Sequence, residues 1–120
     1  MASKYRDTIK DKDRYSILTD KFDICYICGK RGDTQLHEVF YGQSNRPKSK
    51  EDGCTAPLCY ECHHGSNFGV HFNKELDLKL KKQAEKIWLD HYTNKELPIN
   101  KRIKMFIKRY GKNYLDEEDY

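Results

Sequence analysis

The chain has 120 residues, 37% hydrophobic and 35% charged, with a formal charge of +4. That is length for one domain, and its apolar core must be thin. No segment holds the roughly 18 apolar residues of a membrane span, and the opening MASKYRDTIKDKDRY lacks a secretory apolar run. The expectation is a cytoplasmic chain with no membrane partner, whose thiols stay reduced and free to bind metal.

In chain order, residues 1–21 alternate charge with few apolar positions and read as an N-terminal arm. A metal-stapled domain is expected over 22–93, a basic helix over 94–114, and an acidic tail over 115–120. FDICYICG (22–29) reads as a short strand entering a Cys25–Cys28 knuckle. TQLHEVF (34–40) alternates like a strand, with Leu36, Glu38 and Phe40 on one face and His37 and Val39 on the other. The polar run GQSNRPKSKEDG (42–53) reads as a loop. CTAPLC then forms a second short strand into the Cys59–Cys62 knuckle, with His63 and His64 directly behind it. Beyond the GSNFG loop, Asn73 is placed to cap a helix carrying Leu76, Leu80, Ala84, Ile87 or Trp88, and His91 at helical spacing. A last helix is expected from Ile99 to Tyr110, stopped by Gly111.

The two Cys-x-x-Cys knuckles carry the strongest chemical signal. Each x-x turn points both sulfurs at one ion, so Cys25, Cys28, Cys59 and Cys62 form a tetrahedral structural Zn²⁺ site. In a core this thin, that ion would contribute on the order of 10 kcal/mol to folding. The fifth cysteine, Cys54, reads as a small buried residue. His37, Glu38, His63, His64 and His71 crowd a 35-residue window, more than a structural zinc module needs. A site holding a divalent ion over a phosphate needs one or two such ligands and a base that takes a proton from water.

Charge points the same way. Residues 73–114 carry twelve Lys or Arg against five Asp or Glu, interleaved with Trp88, Tyr92, Phe106 and Tyr110. Arg46, Lys48 and Lys50, with Lys79, Lys82, Lys86, Arg102, Lys108 and Arg109, are the candidate phosphate contacts; the competing reading is a solvated helix face. LDEEDY holds four acids and is expected to be disordered, shielding the basic face or binding a protein partner.

The order CxxC, LHEVF, PLCxxCHH, VHFN resembles the HNH nucleases of the ββα-metal (His-Me finger) class, in their small phage or prophage form with a four-cysteine zinc site. The resemblance covers Cys25 to about Asn73. It implies an α+β fold with a zinc-stapled ββα-metal core and C-terminal helices, and an endonuclease that hydrolyses DNA with little sequence preference, in a bacterial host, with a homodimer natural if both strands are cut. In that family the first strand carries a metal ligand followed by the histidine that serves as base, so His37-Glu38 can align in two registers. His37 is favoured as base because imidazole matches neutral pH better than a carboxylate of pKa about 4.3; Glu38 is then a ligand or an orienting group. His63 matches the metal-ligand position, with Asn67 or His71 as the further ligand of a catalytic Mg²⁺ or similar ion. Cys54 stands where the family has an orienting asparagine. The rival is a non-catalytic zinc module that binds DNA or protein.

Overall fold

The computed structural model describes residues 15–65, 69–71 and 73–119. Residues 1–14 of the expected arm lie outside the described residues, while its last part is docked, with Ser16 Oγ donating to Thr55 O at 2.6 Å and Ile17 N–H bonding Gly53 O at 2.8 Å. The architecture is α+β. Strand β1 (Gln35–Glu38) is followed by helix α1 (Asn45–Asp52), strand β2 (Thr55–Leu58) and the short helix α2 (Tyr60–His64). Helices α3 (Lys74–Tyr92) and α4 (Ile99–Tyr110) and a 3₁₀ turn at Glu117–Asp119 complete it. The strands pair antiparallel, with Gln35 opposite Leu58, His37 opposite Ala56 and Glu38 opposite Thr55. Among the described residues, no helix is long and apolar enough to cross a membrane.

FDICYICG does not form the expected strand. Its extended pairing is limited to a single bridge between Ile24 and Arg31, because the knuckle turns the chain at once. Cys25 N–H bonds Lys30 O at 2.8 Å, and Tyr26 N–H docks on Pro57 O of β2 at 2.8 Å.

The second correction concerns residues 42–53, where the expected loop contains α1. Its lone proline, Pro47, lies in the first turn, where a missing N–H costs no helical bond. Gly53 ends it in the left-handed region at φ 80°, which glycine adopts without strain. A Cβ there would also meet the Tyr15 ring at 2.8 Å. The buried face of α1 is polar. Ser49 Oγ accepts the Phe40 N–H at 3.0 Å and donates to the Phe40 carbonyl at 2.6 Å. Asp52 Oδ2 accepts from Trp88 Nε1 at 2.9 Å, Tyr110 OH at 2.8 Å and Arg109 Nε at 3.0 Å, and its Oδ1 takes a second Arg109 bond at 2.8 Å.

The two long helices fall where the periodicity placed them. The Asn73 side chain accepts the Leu76 N–H, and Gly111 closes α4 at φ 87°. Leu80, Ala84, Trp88 and Leu89 of α3 meet Ile103, Phe106 and Tyr110 of α4 over Phe40, with Phe40 and Phe106 edge to face at 5.1 Å. Cys54 is buried as expected, against the Tyr110 hydroxyl. His91 is exposed, its ring against that of Tyr92.

The acidic tail is the third correction: the segment before residue 120 is docked. Leu115 is buried, Lys82 Nζ pairs with Asp116 at 3.3 Å and Asp119 at 3.0 Å, and Tyr114 N–H bonds Glu85 Oε1 at 2.8 Å. An apolar anchor and a cation in reach outweigh the tail's self-repulsion.

Candidate metal centres

Two clusters of ligand-type side chains stand out among the described residues: Cys25, Cys28, Cys59 and Cys62, and His37, His63 and His71. Within each, the ligand atoms all lie within 4.8 Å of one another.

The cysteine cluster is built by the two knuckles meeting across the sheet end. Cys28 and Cys59 Sγ are 3.7 Å apart, close to the edge of a tetrahedron whose four sulfurs sit about 2.3 Å from a central ion. Burial would raise the Cys25 thiol, but backbone N–H groups of Cys28, Cys59 and Ile27 outweigh it and bring it down to about 7. Burial and the neighbouring sulfurs push Cys62 strongly up, and Cys59 upward too. Four crowded sulfurs thus resist ionising together unless a cation joins them. The cluster could hold a metal ion such as zinc.

The histidine cluster draws on three elements. His37 points inward from β1 and is 3% exposed. His63 sits on the last turn of α2, half-buried. His71 is returned to them by a tight reversal in which Val70 N–H bonds Cys62 O and Gly69 N–H bonds Gly65 O, both at 2.8 Å. A Cβ on Gly69 would lie 2.8 Å from Gly65 N, so the two backbones can cross this closely only with glycine there. The His37 ring lies 5.0 Å from His63 and 5.3 Å from His71, centroid to centroid, and His63 lies 4.7 Å from His71. His64, exposed on the rim, is 4.0 Å from His63 and stacks on His71 at 5.0 Å.

All three rings are held neutral. Burial first, then the neighbouring His63, His71, Lys81 and Arg46, brings His37 down to about 3. Burial, His64, His71 and Arg46 bring His63 to about 4. His71 is lowered by burial and His64, with Asp77 opposing. Neutral imidazoles are the form that ligates a metal. His37 Nε2 is buried with no hydrogen-bond partner among the described residues, an orphan that an ion would satisfy. His63 Nδ1 lies 2.8 Å from Gln35 Oε1; since that oxygen only accepts, the proton sits on Nδ1 and Nε2 keeps its lone pair.

Glu38 does not join the imidazoles. Successive strand residues face opposite ways, and Glu38 lies 3.6 Å from Arg46 instead. Asn67 lies outside the described residues. Gln35 escaped the sequence reading although its spacing of two from His37 puts it on the same strand face. Also missed was a polar support behind the rings. The Tyr41 hydroxyl donates to Asp77 Oδ2 at 2.8 Å, Lys81 pairs with the same oxygen at 2.9 Å, and the Lys81 ammonium sits 4.1 Å over the Tyr41 ring. The Tyr41 ring lies 5.9 Å from His37 and 6.0 Å from His71.

The candidate phosphate contacts divide in two. Arg46, Lys50, Lys79, Lys86 and Lys108 are exposed. Lys82 is held by the tail. Lys48 caps the Arg109 carbonyl at 2.9 Å, Arg102 bonds Thr93 Oγ1 and Leu89 O, and Arg109 grips Asp52 and Glu51. The last three act inside the fold.

No family model, curated protein or solved structure matches this chain.

Proposed function

We propose that the protein is a metal-dependent endonuclease of the HNH, ββα-metal type that hydrolyses DNA phosphodiester bonds, with a structural zinc on its four cysteines. The observation that carries this reading is the convergence of three neutral imidazoles around the buried, unpartnered His37 Nε2. The chain order supports it as well: an antiparallel hairpin with His37 on its first strand, followed by a helix with His63. A site for structural zinc alone accounts for the sulfurs and leaves those three rings unexplained.

His37, His63 and His71 would hold the catalytic ion, and three imidazole nitrogens suit a borderline divalent metal such as Mn²⁺, Co²⁺ or Zn²⁺ better than Mg²⁺, which takes oxygen ligands. When bound there, the ion supplies Lewis-acid stabilisation to the developing phosphorane charge and the leaving oxygen. This assigns His37 to the ion in place of the role of base. A ring 3% exposed and brought down to about 3 takes up a proton poorly at neutral pH. His64, exposed beside His63 and His71, is the ring placed to accept the proton of the attacking water. Gln35 fixes the His63 tautomer. Arg46, whose charge is felt at all three rings, is placed to bind the substrate phosphate. Lys79, Lys86 and Lys108 would add backbone contacts, giving weak sequence preference and steep salt dependence.

The test is nicking of supercoiled plasmid by zinc-loaded protein with Mg²⁺, Mn²⁺ or no added ion. His63→Ala and His71→Ala are expected to abolish cutting, and His64→Gln to slow it by about 10²–10⁴-fold, the usual range for a lost general base. DNA binding without cutting under any ion would sink the reading and leave a non-catalytic zinc module.

A further inference from the structure

A surface pocket of about 240 Å³ opens beside the first knuckle, lined by Lys30, Arg31, Gly32, Asp33, Cys59, Tyr60 and Glu61. It belongs to neither ligand cluster's chemistry, although Cys59 forms part of its wall. Tyr60 is 64% exposed, the most exposed large apolar side chain among the described residues. An aromatic ring left this open loses apolar burial unless a ligand covers it.

We propose that this pocket takes one unpaired nucleobase, stacked on Tyr60, so that the substrate is single-stranded or locally unpaired nucleic acid. The size limits the ligand, because 240 Å³ lies below the 300–1,000 Å³ or so of sites for drug-sized molecules. Its charge limits the ligand too. Arg31 is already paired with Asp23 at 2.6 Å, and Lys30 lies 3.9 Å from Glu61, so a phosphate gains little there. A flat, neutral ring with donors and acceptors on its edge suits the loosely paired Lys30 and Glu61, as an amino group meets the Glu61 carboxylate and a ring acceptor meets the Lys30 ammonium. A base inside a duplex hides both its faces and its pairing edge, so only an unpaired base can enter.

The pocket is also connected to the histidines. Tyr60 lies one helical turn before His64, ring centroids 5.8 Å apart, and His64 stacks on His71 within 14° of parallel. A strand whose base sits on Tyr60 would continue over the rim of the histidine site. That continuation rests on the nuclease reading; binding of the base does not.

The experiment uses full-length, zinc-loaded protein and a short oligothymidylate carrying one 2-aminopurine, as a single strand and annealed to its complement. Binding is followed by anisotropy and by quenching of the 2-aminopurine. The wild type is expected to prefer the single strand and to quench the probe. Tyr60→Leu should weaken single-strand binding about tenfold and relieve the quenching, with Tyr60→Phe within about twofold of wild type, since stacking needs the ring and not the hydroxyl. Duplex binding should be the same in all three. Equal losses on single strand and duplex, no loss in Tyr60→Leu, or no single-strand binding by wild type would each overturn the proposal. Plasmid nicking by the same preparations separates the two readings. A wild type that never cuts but shows the Tyr60 effect keeps the base pocket and loses the nuclease; one that cuts with Tyr60 silent does the reverse.

Discussion

At the scale of single residues, the histidine site depends on which nitrogen of each ring carries a proton. Gln35 decides this for His63. Its side-chain oxygen takes the Nδ1 proton at 2.8 Å, which leaves Nε2 as the lone-pair donor and holds the ring in orientation. Groups in this position, one step behind a ligand, typically change metal affinity 10–100-fold when removed. We therefore expect Gln35→Ala to weaken Mn²⁺ or Co²⁺ binding at the histidines by about that factor. The check is a titration of zinc-loaded protein in which the four-sulfur site is already filled. Gln35 is largely exposed on an edge strand, so folding should be unaffected, and an unchanged affinity would remove it from the site. In Glu38, by contrast, one residue of offset along the strand puts the carboxylate on the other face, against Arg46. Adjacency in sequence, which made His37-Glu38 look like a functional pair, is the wrong spacing for a strand.

At the scale of elements, α1 joins the sheet to the helical half. Asp52 accepts from Trp88 of α3 and from Arg109 and Tyr110 of α4. Asp52→Ala would leave an indole N–H, a phenol and a guanidinium without their acceptor. Removing one partner of a buried, charged network costs about 3–5 kcal/mol, so the variant should show a sharply lower urea midpoint; a shift equal to that of an ordinary surface substitution would refute this role. The same residues explain why α1 was not legible. It has no apolar residue to set a period, and what it buries is Ser49 and Asp52, through hydrogen bonds to residues far away in the chain. Helices α3 and α4 were legible because their apolar residues recur along one stripe and their caps, Asn73 and Gly111, are local. The knuckles were legible because chelation fixes a spacing of two within each pair. The return of His71 to His63 was not, because it depends on the backbones of Gly65 and Gly69 meeting in space. The docked tail was misread because its charges were weighed without Lys82, which lies 34 residues before Asp116 and on another element.

At the scale of the whole molecule, that docking buries a carboxyl group in the core. Glu85 is fully buried. Its Oε1 accepts the Tyr114 N–H, and its Oε2 has no partner among the described residues. Burial raises its pKa from 4.5 to about 7, against the lowering effect of the Tyr114 N–H and with a further push from Asp119. The folded chain therefore keeps a proton on Glu85 that the unfolded chain has released over the window from about 4.5 to about 7. Stability must fall as pH rises through that window and then level off, and the shift corresponds to about 3 kcal/mol. Glu85→Gln copies the neutral acid in shape and cannot ionise. Urea unfolding of the zinc-loaded proteins at a series of pH values should show the variant gaining on wild type by about 2.5 kcal/mol between pH 5 and pH 8. Thiols and imidazoles titrate in both proteins alike, so their contributions cancel in the difference. Parallel curves would mean that Glu85 ionises without penalty, and that the C-terminal segment leaves α3 open to water. A widening gap would mean that the tail's contacts with Lys82, Leu115 and Tyr114 seal a neutral carboxyl into the core, and that a rise in pH through about 4.5 to 7 loosens the tail and the helix beneath it together.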